Sequence, residues 1–223
     1  GIYITIMGSF AAISIAVAVP LADASSWGWR LSMVPWIVIG LFSSAWWLLK
    51  ISKASETQHM QLSSTFHNQL LLRPGAWSIA VFFGLQSMIY YGTATWFPTI
   101  LVSKGFTLSN AGFAVSITGL LGSLVGIAAP YYSSKLSDLR ILLALTGGIV
   151  TLCLFGIIFD HGWHLNVWLL IANICLSITF PLSLLLTVTR STGAGETRSL
   201  SIMAQAIGYS MAAIAPGIVG AIF

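Results

Sequence analysis

Residues 74–103 read PGAWSIAVFFGLQSMIYYGTATWFPTILVS, a stretch without a single Asp, Glu, Lys or Arg. A helix of this length measures about 45 Å, whereas the hydrocarbon core of a bilayer is about 30 Å thick. Six more uncharged stretches follow this pattern, at 1–22, 31–49, 105–134, 141–159, 162–189 and 199–223. The sequence therefore predicts seven membrane-spanning helices.

The composition supports lipid as the surrounding solvent. Charged residues make up 6% of the chain, against about 25% in soluble domains, and the mean hydropathy is +0.93. Backbone polar groups in lipid must be satisfied inside helices or closed barrels, and these apolar runs are too long and continuous for barrel strands. The predicted fold class is all-α, a polytopic membrane protein.

The basic residues orient the chain. When loops are assigned alternately to two sides, one side holds seven basic residues and the other holds Arg30 and Lys104; the seven are Lys50, Lys53, Arg73, Lys135, Arg140, Arg190 and Arg198. Excess Lys and Arg marks the cytoplasmic side, so residue 1 and the polar segment 50–73 are predicted to be cytoplasmic, with the chain in the cell membrane. The scattered basic residues form no patch for nucleic acid, which leaves the bilayer as the expected partner.

Three segments carry a resemblance to a known family. WRLSMVPWIV at 29–38, RPGAWSIAVFFGLQSMIYYGTATWFPTIL at 73–101 and MAQAIGYSMAAIAPGIVG at 203–220 resemble the sixth, seventh and eleventh helices of the major facilitator superfamily, in the branch of cyanate permeases and 2-nitroimidazole transporters. Both chain ends interrupt an apolar run, so we expect a fragment, a bundle truncated to helices five to eleven of twelve.

The resemblance also implies a division of the chain. Residues 1–49 would be the last two helices of the N-terminal bundle, residues 50–73 the central loop, and residues 74–223 five of the six helices of the C-terminal bundle. The full-length protein would be a monomer.

The resemblance implies secondary active transport of a small solute by alternating access. The solute would be a small anion such as cyanate, or a small planar organic compound. No charged residue lies deep in a predicted helix, so groups that carry a coupling proton would come from helices beyond this chain. The alternatives are an integral-membrane enzyme and a channel-like helix bundle. The sequence shows neither paired aspartates nor a Ser/His couple at membrane depth, so we predict no enzyme. A channel usually has a charged ring or a filter loop, and neither is visible in the sequence.

A repeated polar spacing suggests the substrate-binding residues. Gln86 and Tyr90 lie four residues apart, as do Gln205 and Tyr209, and such pairs share one helix face. Amides and phenols both donate and accept hydrogen bonds. The predicted substrate-binding set is Gln86, Tyr90, Thr93, Asn173, Gln205 and Tyr209. The alternative is that these groups form hydrogen bonds that hold the helices together.

Three other features invite an interpretation. In the loop SSKLSDLR at 133–140, the charges of Lys135, Asp138 and Arg140 resemble those of the family's loop between helices eight and nine. The resemblance implies a conformational latch, and the alternative is a loop that only sets topology.

Gly122-x-x-x-Gly126 favours close helix packing. His161 and His164 are too few for a metal site, and neither a metal nor another cofactor is predicted.

Overall fold

The structure is a computed structural model that describes residues 2–51, 68–133, 135, 136 and 138–222. Within these ranges it contains no strand, and it consists of one short 3-10 helix (Asn68–Leu72) and seven α-helices: α1 (Ile2–Asp23), α2 (Trp29–Ile51), α3 (Pro74–Ser103), α4 (Leu108–Ser133), α5 (Leu139–Phe159), α6 (His164–Thr189) and α7 (Ala194–Ile222). The all-α fold class is confirmed. Residues 52–67 of the predicted central loop lie outside the described residues.

Six of these seven α-helices, all except α3, are by themselves long and apolar enough to cross a membrane. The helix α3 has 30 residues, but its middle carries the polar side chains of Gln86, Tyr90, Tyr91 and Thr93. Polar groups are costly in lipid unless they face another helix or a cavity. The seven helices are confirmed, and the crossing of the membrane by α3 stays a prediction.

Three helices begin earlier than the uncharged stretches predict. The helix α2 begins at Trp29 and takes in Arg30. The helix α5 begins at Leu139 because Asp138 Oδ1 accepts a hydrogen bond of 2.9 Å from the backbone N–H of Arg140, as a capping residue does. The helix α7 begins at Ala194 and takes in Glu196. A charged residue therefore marks the neighbourhood of a helix end, but the helix can continue past it.

The chain divides into two units, residues 17–65 and residues 1–16 together with 66–223. The smaller unit contains the end of α1 and all of α2. Within it, the buried hydroxyl of Ser32 donates a hydrogen bond of 2.6 Å to the carbonyl of Ala18. Most side chains of α2 are exposed, as expected for a helix that faces lipid.

In the larger unit, α3 packs along α7. Gly208 lies against the Phe83 ring, and Gly84 lies against Met211. Nearer the other end of the pair, the indole N–H of Trp96 donates a hydrogen bond of 3.0 Å to the carbonyl of Pro216. Glycines thus let the two helices approach where large side chains lie opposite.

The backbones of α4 and α6 approach one another closely at two glycines. A Cβ atom added at Gly122 would lie 2.7 Å from the carbonyl oxygen of Asn173, and one added at Gly126 would lie 2.7 Å from that of Ser177. Such spacing leaves no room for a side chain. The predicted close packing of the Gly122-x-x-x-Gly126 motif is confirmed.

Polar contacts close the end of the larger unit where α3 and α5 finish. Lys104 Nζ donates to the carbonyls of Ile158, at 3.0 Å, and Asp160, at 2.8 Å, so its charge lies at the C-terminus of α5. The indole N–H of Trp168 donates to Asp160 Oδ2 at 2.9 Å. This hydrogen bond is the largest of several interactions that hold the pKa of Asp160 below its usual value.

We expect Gly122→Ala to destabilise the protein by about 1–3 kcal/mol, because the added methyl group must push the α6 backbone away. Gly119→Ala is the matched control, since the nearest atom to its added Cβ is Ala12 Cβ at 4.0 Å. Thermal unfolding of both variants in mild detergent provides the comparison. Equal stability of the two variants would contradict the close packing of α4 on α6.

Candidate functional site

Two small cavities lie against the Tyr90 side chain in the larger unit, with volumes of about 40 Å³ and 30 Å³. Each has room for a water molecule but not for a larger solute. The larger cavity is lined by α1, α3, α4 and α6, through Gly8, Ala11, Ala12, Ile15, Tyr90, Thr93, Ala94, Phe97, Val115, Gly119, Ser123, Asn173 and Ser177. The smaller cavity is lined by Met7, Gly8, Tyr90, Tyr91, Ser123, Gly126, Leu176, Ser177 and Phe180.

Three of the predicted binding residues, Tyr90, Thr93 and Asn173, come together at the larger cavity. The Thr93 hydroxyl is within hydrogen-bond distance of two carbonyls of its own helix, those of Ile89 at 2.7 Å and Tyr90 at 3.0 Å. Residues from two helices that are far apart in sequence thus line one space. The structure therefore places a few polar side chains on the wall of a mainly apolar cavity.

Asn173 also joins two helices. Its Nδ2 donates to Thr118 Oγ1 of α4, at 3.1 Å, and to the carbonyl of Leu169 in its own helix, at 3.0 Å. Asn173 lies where the Gly122 backbone touches α6. The position of the Asn173 amide at the cavity is therefore set by the close approach of α4 and α6.

Gln86 lies one turn from Tyr90 on α3 and is 4% exposed. Its Oε1 accepts a long hydrogen bond of 3.4 Å from Ser87. Its Nε2 has no hydrogen-bond partner among the described residues. Leaving a buried donor unsatisfied costs about 1–3 kcal/mol, so this amide is an uncommon feature for a static helix contact.

Five aromatic side chains, which we call the aromatic pentad, form a closed circuit of ring contacts: Phe83, Tyr90 and Tyr91 of α3, Phe180 of α6 and Tyr209 of α7. Around the circuit, the centroid distances are 5.8 Å for Phe83–Phe180, 6.4 Å for Phe180–Tyr90, 5.3 Å for Tyr90–Tyr91, 6.4 Å for Tyr91–Tyr209 and 5.6 Å for Tyr209–Phe83. Each ring has two ring neighbours. The pentad joins the Tyr90 cavities to α7.

The second predicted pair, Gln205 and Tyr209, is divided between two environments. Tyr209 belongs to the pentad and is 39% exposed. Gln205 is half-buried and donates from Nε2 to the carbonyl of Ser201 in its own helix, at 3.3 Å. It lines neither of the two Tyr90 cavities. The Gln-x-x-x-Tyr spacing is thus the same in α3 and α7, but the surroundings of the two glutamines differ.

A larger groove of about 1210 Å³ opens at the end of this unit where α3, α5 and α7 begin. Two of the predicted latch residues, Asp138 and Arg140, line it, and Asp138 contacts the backbone N–H of Arg140. Lys135 does not line it: its Nζ lies 4.4 Å from the centroid of the Tyr131 ring, within cation–π range. The three latch residues therefore share one end of the unit, but Lys135 makes contacts separate from those of Asp138 and Arg140.

An ion pair in this groove ties two distant parts of the chain together. Glu196 of α7 forms an ion pair with Arg73, which lies just before α3. Glu196 also accepts hydrogen bonds from Thr192, one of them from the backbone N–H at 2.9 Å. Its side chain is 8% exposed, whereas that of Arg73 is 55% exposed.

Sequence reasoning missed Glu196, Phe180 and the contribution of α1. A sequence signal existed for Phe180, because Asn173, Ser177 and Phe180 recur at the spacing of one helix face. For Glu196, the signal was its position in the first turn of α7, where acidic residues are favoured. Which residues of α1 reach the cavities depends on helix packing and has no local signature.

His161 and His164 lie at or just before the start of α6. Among the residues that the structure describes, no group of three or more His, Cys, Asp or Glu residues could hold a metal ion. His164 Nδ1 instead lies 3.9 Å from Asp160 Oδ1, at the end of the unit opposite the charged groove.

Comparison with known proteins identifies related sequences. The family model of the Major Facilitator Superfamily matches residues 1–216. An uncharacterized transporter, YycB, from Bacillus subtilis (strain 168) is 30% identical over 100% of this chain and 55% of its own length. The 2-nitroimidazole transporter of Escherichia coli (strain K12) is 29% identical over 100% of this chain and 56% of its own length.

The cyanate transport protein CynX of Escherichia coli (strain K12) is 26% identical over 85% of this chain and 52% of its own length. The chain therefore spans about half the length of the curated relatives that it matches. No solved structure matches it.

We expect Glu196→Ala to lower the melting temperature of the purified protein by several degrees, because the Thr192 backbone N–H and the Arg73 guanidinium both lose their acceptor. Glu196→Gln keeps an oxygen for Thr192 and removes only the charge, so its melting temperature should lie between those of the parent and the alanine variant. Tryptophan fluorescence during heating measures all three. Identical melting curves would show that the Arg73–Glu196 contact does not stabilise the fold.

Proposed function

Since the chain belongs to the major facilitator superfamily, we propose that the full protein is a secondary active transporter that moves a small solute across a membrane by alternating access. It is a transporter and not an enzyme. The observation that carries the proposal is the meeting of Tyr90, Thr93 and Asn173 around a cavity inside a bundle of long apolar helices. Polar groups at membrane depth mark a solute pathway when they face a cavity.

Each side chain has a role in this proposal. Tyr90, Thr93 and Asn173 offer hydrogen-bonding groups to the solute. Gln86 lies one helical turn from Tyr90 on α3. Tyr209 contacts the rings of Phe83 and Tyr91 in the aromatic pentad. The predicted role of Gln205 in substrate binding stays a prediction with less support, because its amide is bound within its own helix.

The two cavities are small and only partly open in this structure, so a larger solute needs the surrounding helices to move before it can enter. The residues of α1 that line the cavities touch α4 by side-chain and backbone packing: Gly8 lies directly against Ser123, and Cβ atoms added at Gly112 and Gly119 would lie 3.6 Å from the Ile15 carbonyl oxygen and 4.0 Å from Ala12 Cβ. Such contacts are non-directional and individually weak. We propose that α1 separates from α4 to admit the solute, as rocking of one bundle against the other requires.

Two substrate classes follow from the relatives, which are named for cyanate and for 2-nitroimidazole. The solute is a small anion or a small planar organic compound. The bilayer surrounds the protein, and a coupling proton is a further partner consistent with this type of transport. The full-length protein acts as a monomer.

We propose a topology in which residue 1 and segment 50–73 face the cytoplasm and the protein resides in the inner or plasma membrane. Seven of the nine basic residues then lie on the cytoplasmic side, as the positive-inside rule requires. The charged groove is then cytoplasmic, and Lys135, Asp138 and Arg140 act there as a latch. Residues 1–49 belong to the N-terminal bundle and residues 74–223 to the C-terminal bundle.

Uptake by proteoliposomes containing the full-length protein tests this function. We expect saturable uptake of a radiolabelled solute, and counterflow when the vesicles are preloaded with the same unlabelled solute. Uptake that neither saturates nor supports counterflow would identify a channel-like bundle instead.

A matched pair of threonines tests the site. Thr93→Val should raise the KM for uptake by about 2–10-fold, which corresponds to the loss of one hydrogen-bonding group at the cavity. Thr95→Val is the control, because Thr95 is exposed and donates only to the Tyr91 carbonyl of its own helix, at 2.8 Å. If Thr93→Val and Thr95→Val both transport like the parent, the solute does not bind at this cavity.

A further inference from the structure

The aromatic pentad has a buried side and an exposed side. Phe83 is 0% exposed and Phe180 is 7% exposed, whereas Tyr209 is 39% exposed. Phe180, Tyr90 and Tyr91 also line the smaller cavity. The rings therefore extend from the bundle surface at Tyr209 to an internal space, which is the arrangement expected for a site that a ligand can enter.

The rings of Tyr90 and Phe180 are tilted neighbours, and the space between them is a candidate for a ligand ring. Their centroids lie 6.4 Å apart and their planes are 33° from parallel. A flat ring inserted between them needs about 3.5–4 Å to each face, or roughly 7–8 Å in total. An aromatic ring would therefore fit if the Tyr90–Phe180 centroid distance grew by about 1 Å and the two ring planes became parallel.

Gln86 carries a hydrogen-bond donor on the same face of α3 as Phe83 and Tyr90. It follows Phe83 by three residues and precedes Tyr90 by four, and both of those rings contact Phe180. The Gln86 Nε2 is buried and has no partner among the described residues. A ligand acceptor that reached it would satisfy the donor and recover most of its desolvation cost.

The described site lacks the means to hold a charge. The residues that line the two Tyr90 cavities and form the pentad include no Lys, Arg, His, Asp or Glu. A desolvated anion without a compensating cation is strongly unfavourable. The described surroundings of Tyr90 thus favour an uncharged ligand over an anion.

We propose that this site binds an uncharged, planar aromatic ring that carries a hydrogen-bond acceptor, with the ring between Tyr90 and Phe180 and the acceptor on Gln86 Nε2. The inference rests on the proposed transport function and selects one of its two substrate classes. It also makes Gln86 a residue that determines specificity.

Binding to the purified full-length protein in detergent, measured by isothermal titration calorimetry, tests the ligand class. Benzamide and nicotinamide supply an aromatic ring and an acceptor. Cyclohexanecarboxamide keeps the amide of benzamide but has a puckered, saturated ring, and cyanate represents the small anions. We expect the two aromatic amides to bind at least about tenfold more tightly than the other two ligands. Equal affinities, tighter binding of cyanate, or no binding of the aromatic amides would overturn the inference.

Two pairs of variants test the assigned contacts. Gln86→Met keeps the length of the side chain without the donor and should weaken benzamide binding about tenfold, whereas Gln86→His keeps a donor and should weaken it less. Tyr90→Leu removes the ring and should abolish the preference for benzamide over cyclohexanecarboxamide, whereas Tyr90→Phe should retain it. Melting temperatures recorded alongside show which variants are folded, and the Tyr90 pair decides the outcome if Gln86→Met fails to fold.

Two results separate this inference from the transport function. If Gln86→Met binds benzamide like the parent, the Gln86 amide does not contact the ligand and the inference is wrong. If counterflow of a labelled solute persists while no aromatic amide binds, the substrate class is wrong but the transporter assignment stands. If no labelled compound of either class supports counterflow, the proposed function itself fails.

Discussion

The backbone contact between α4 and α6 at Gly122 and Gly126 is the constraint on which the site depends. In lipid, helices gain little from burying apolar surface against one another, so association relies on close packing and on interhelical hydrogen bonds. Here both occur at one place, because Gly122 touches the backbone of Asn173 and the Asn173 amide donates to Thr118. This contact positions Asn173 and Ser177 at the Tyr90 cavities.

The other helices have distinct relations to this pair. The residues of α1 line the cavities and pack against α4. The helix α3 is held along α7 by Trp96 and Pro216 towards one end and by Arg73 and Glu196 at the other. Two closely packed pairs, α4 with α6 and α3 with α7, can thus behave as rigid parts, while α1 meets α4 by packing at Gly8, Gly112 and Gly119. That division suits a transporter whose bundles rock.

Much of this fold could be predicted from the distribution of charge. The bounds of α3, the number of long helices and the close packing at Gly122 and Gly126 all follow from local patterns, since each depends on a run of apolar residues or on small residues at helical spacing. Helix starts were less predictable. The uncharged stretches put the start of the last helix at 199, but α7 begins at Ala194. Its first turn includes Glu196, which is buried and held by Arg73 and by Thr192 of the preceding loop.

The site was predicted in part. Gln86 and Gln205 have the same spacing to a tyrosine, yet Gln86 is buried whereas Gln205 is half-buried and hydrogen-bonded to its own helix. Tertiary neighbours decide that difference, and no local pattern reports them.

The central claim is that Tyr90 lies in a solute pathway that opens alternately to the two sides of the membrane. Labelling of Tyr90→Cys by a membrane-impermeant thiol reagent tests it most directly, in full-length protein in which the buried native thiols Cys153 and Cys175 have been replaced by alanine. The account predicts that the cysteine reacts with reagent added to either side, and that bound solute slows both reactions. A cysteine that reacts from one side only, at a rate that solute does not change, would contradict alternating access at this site.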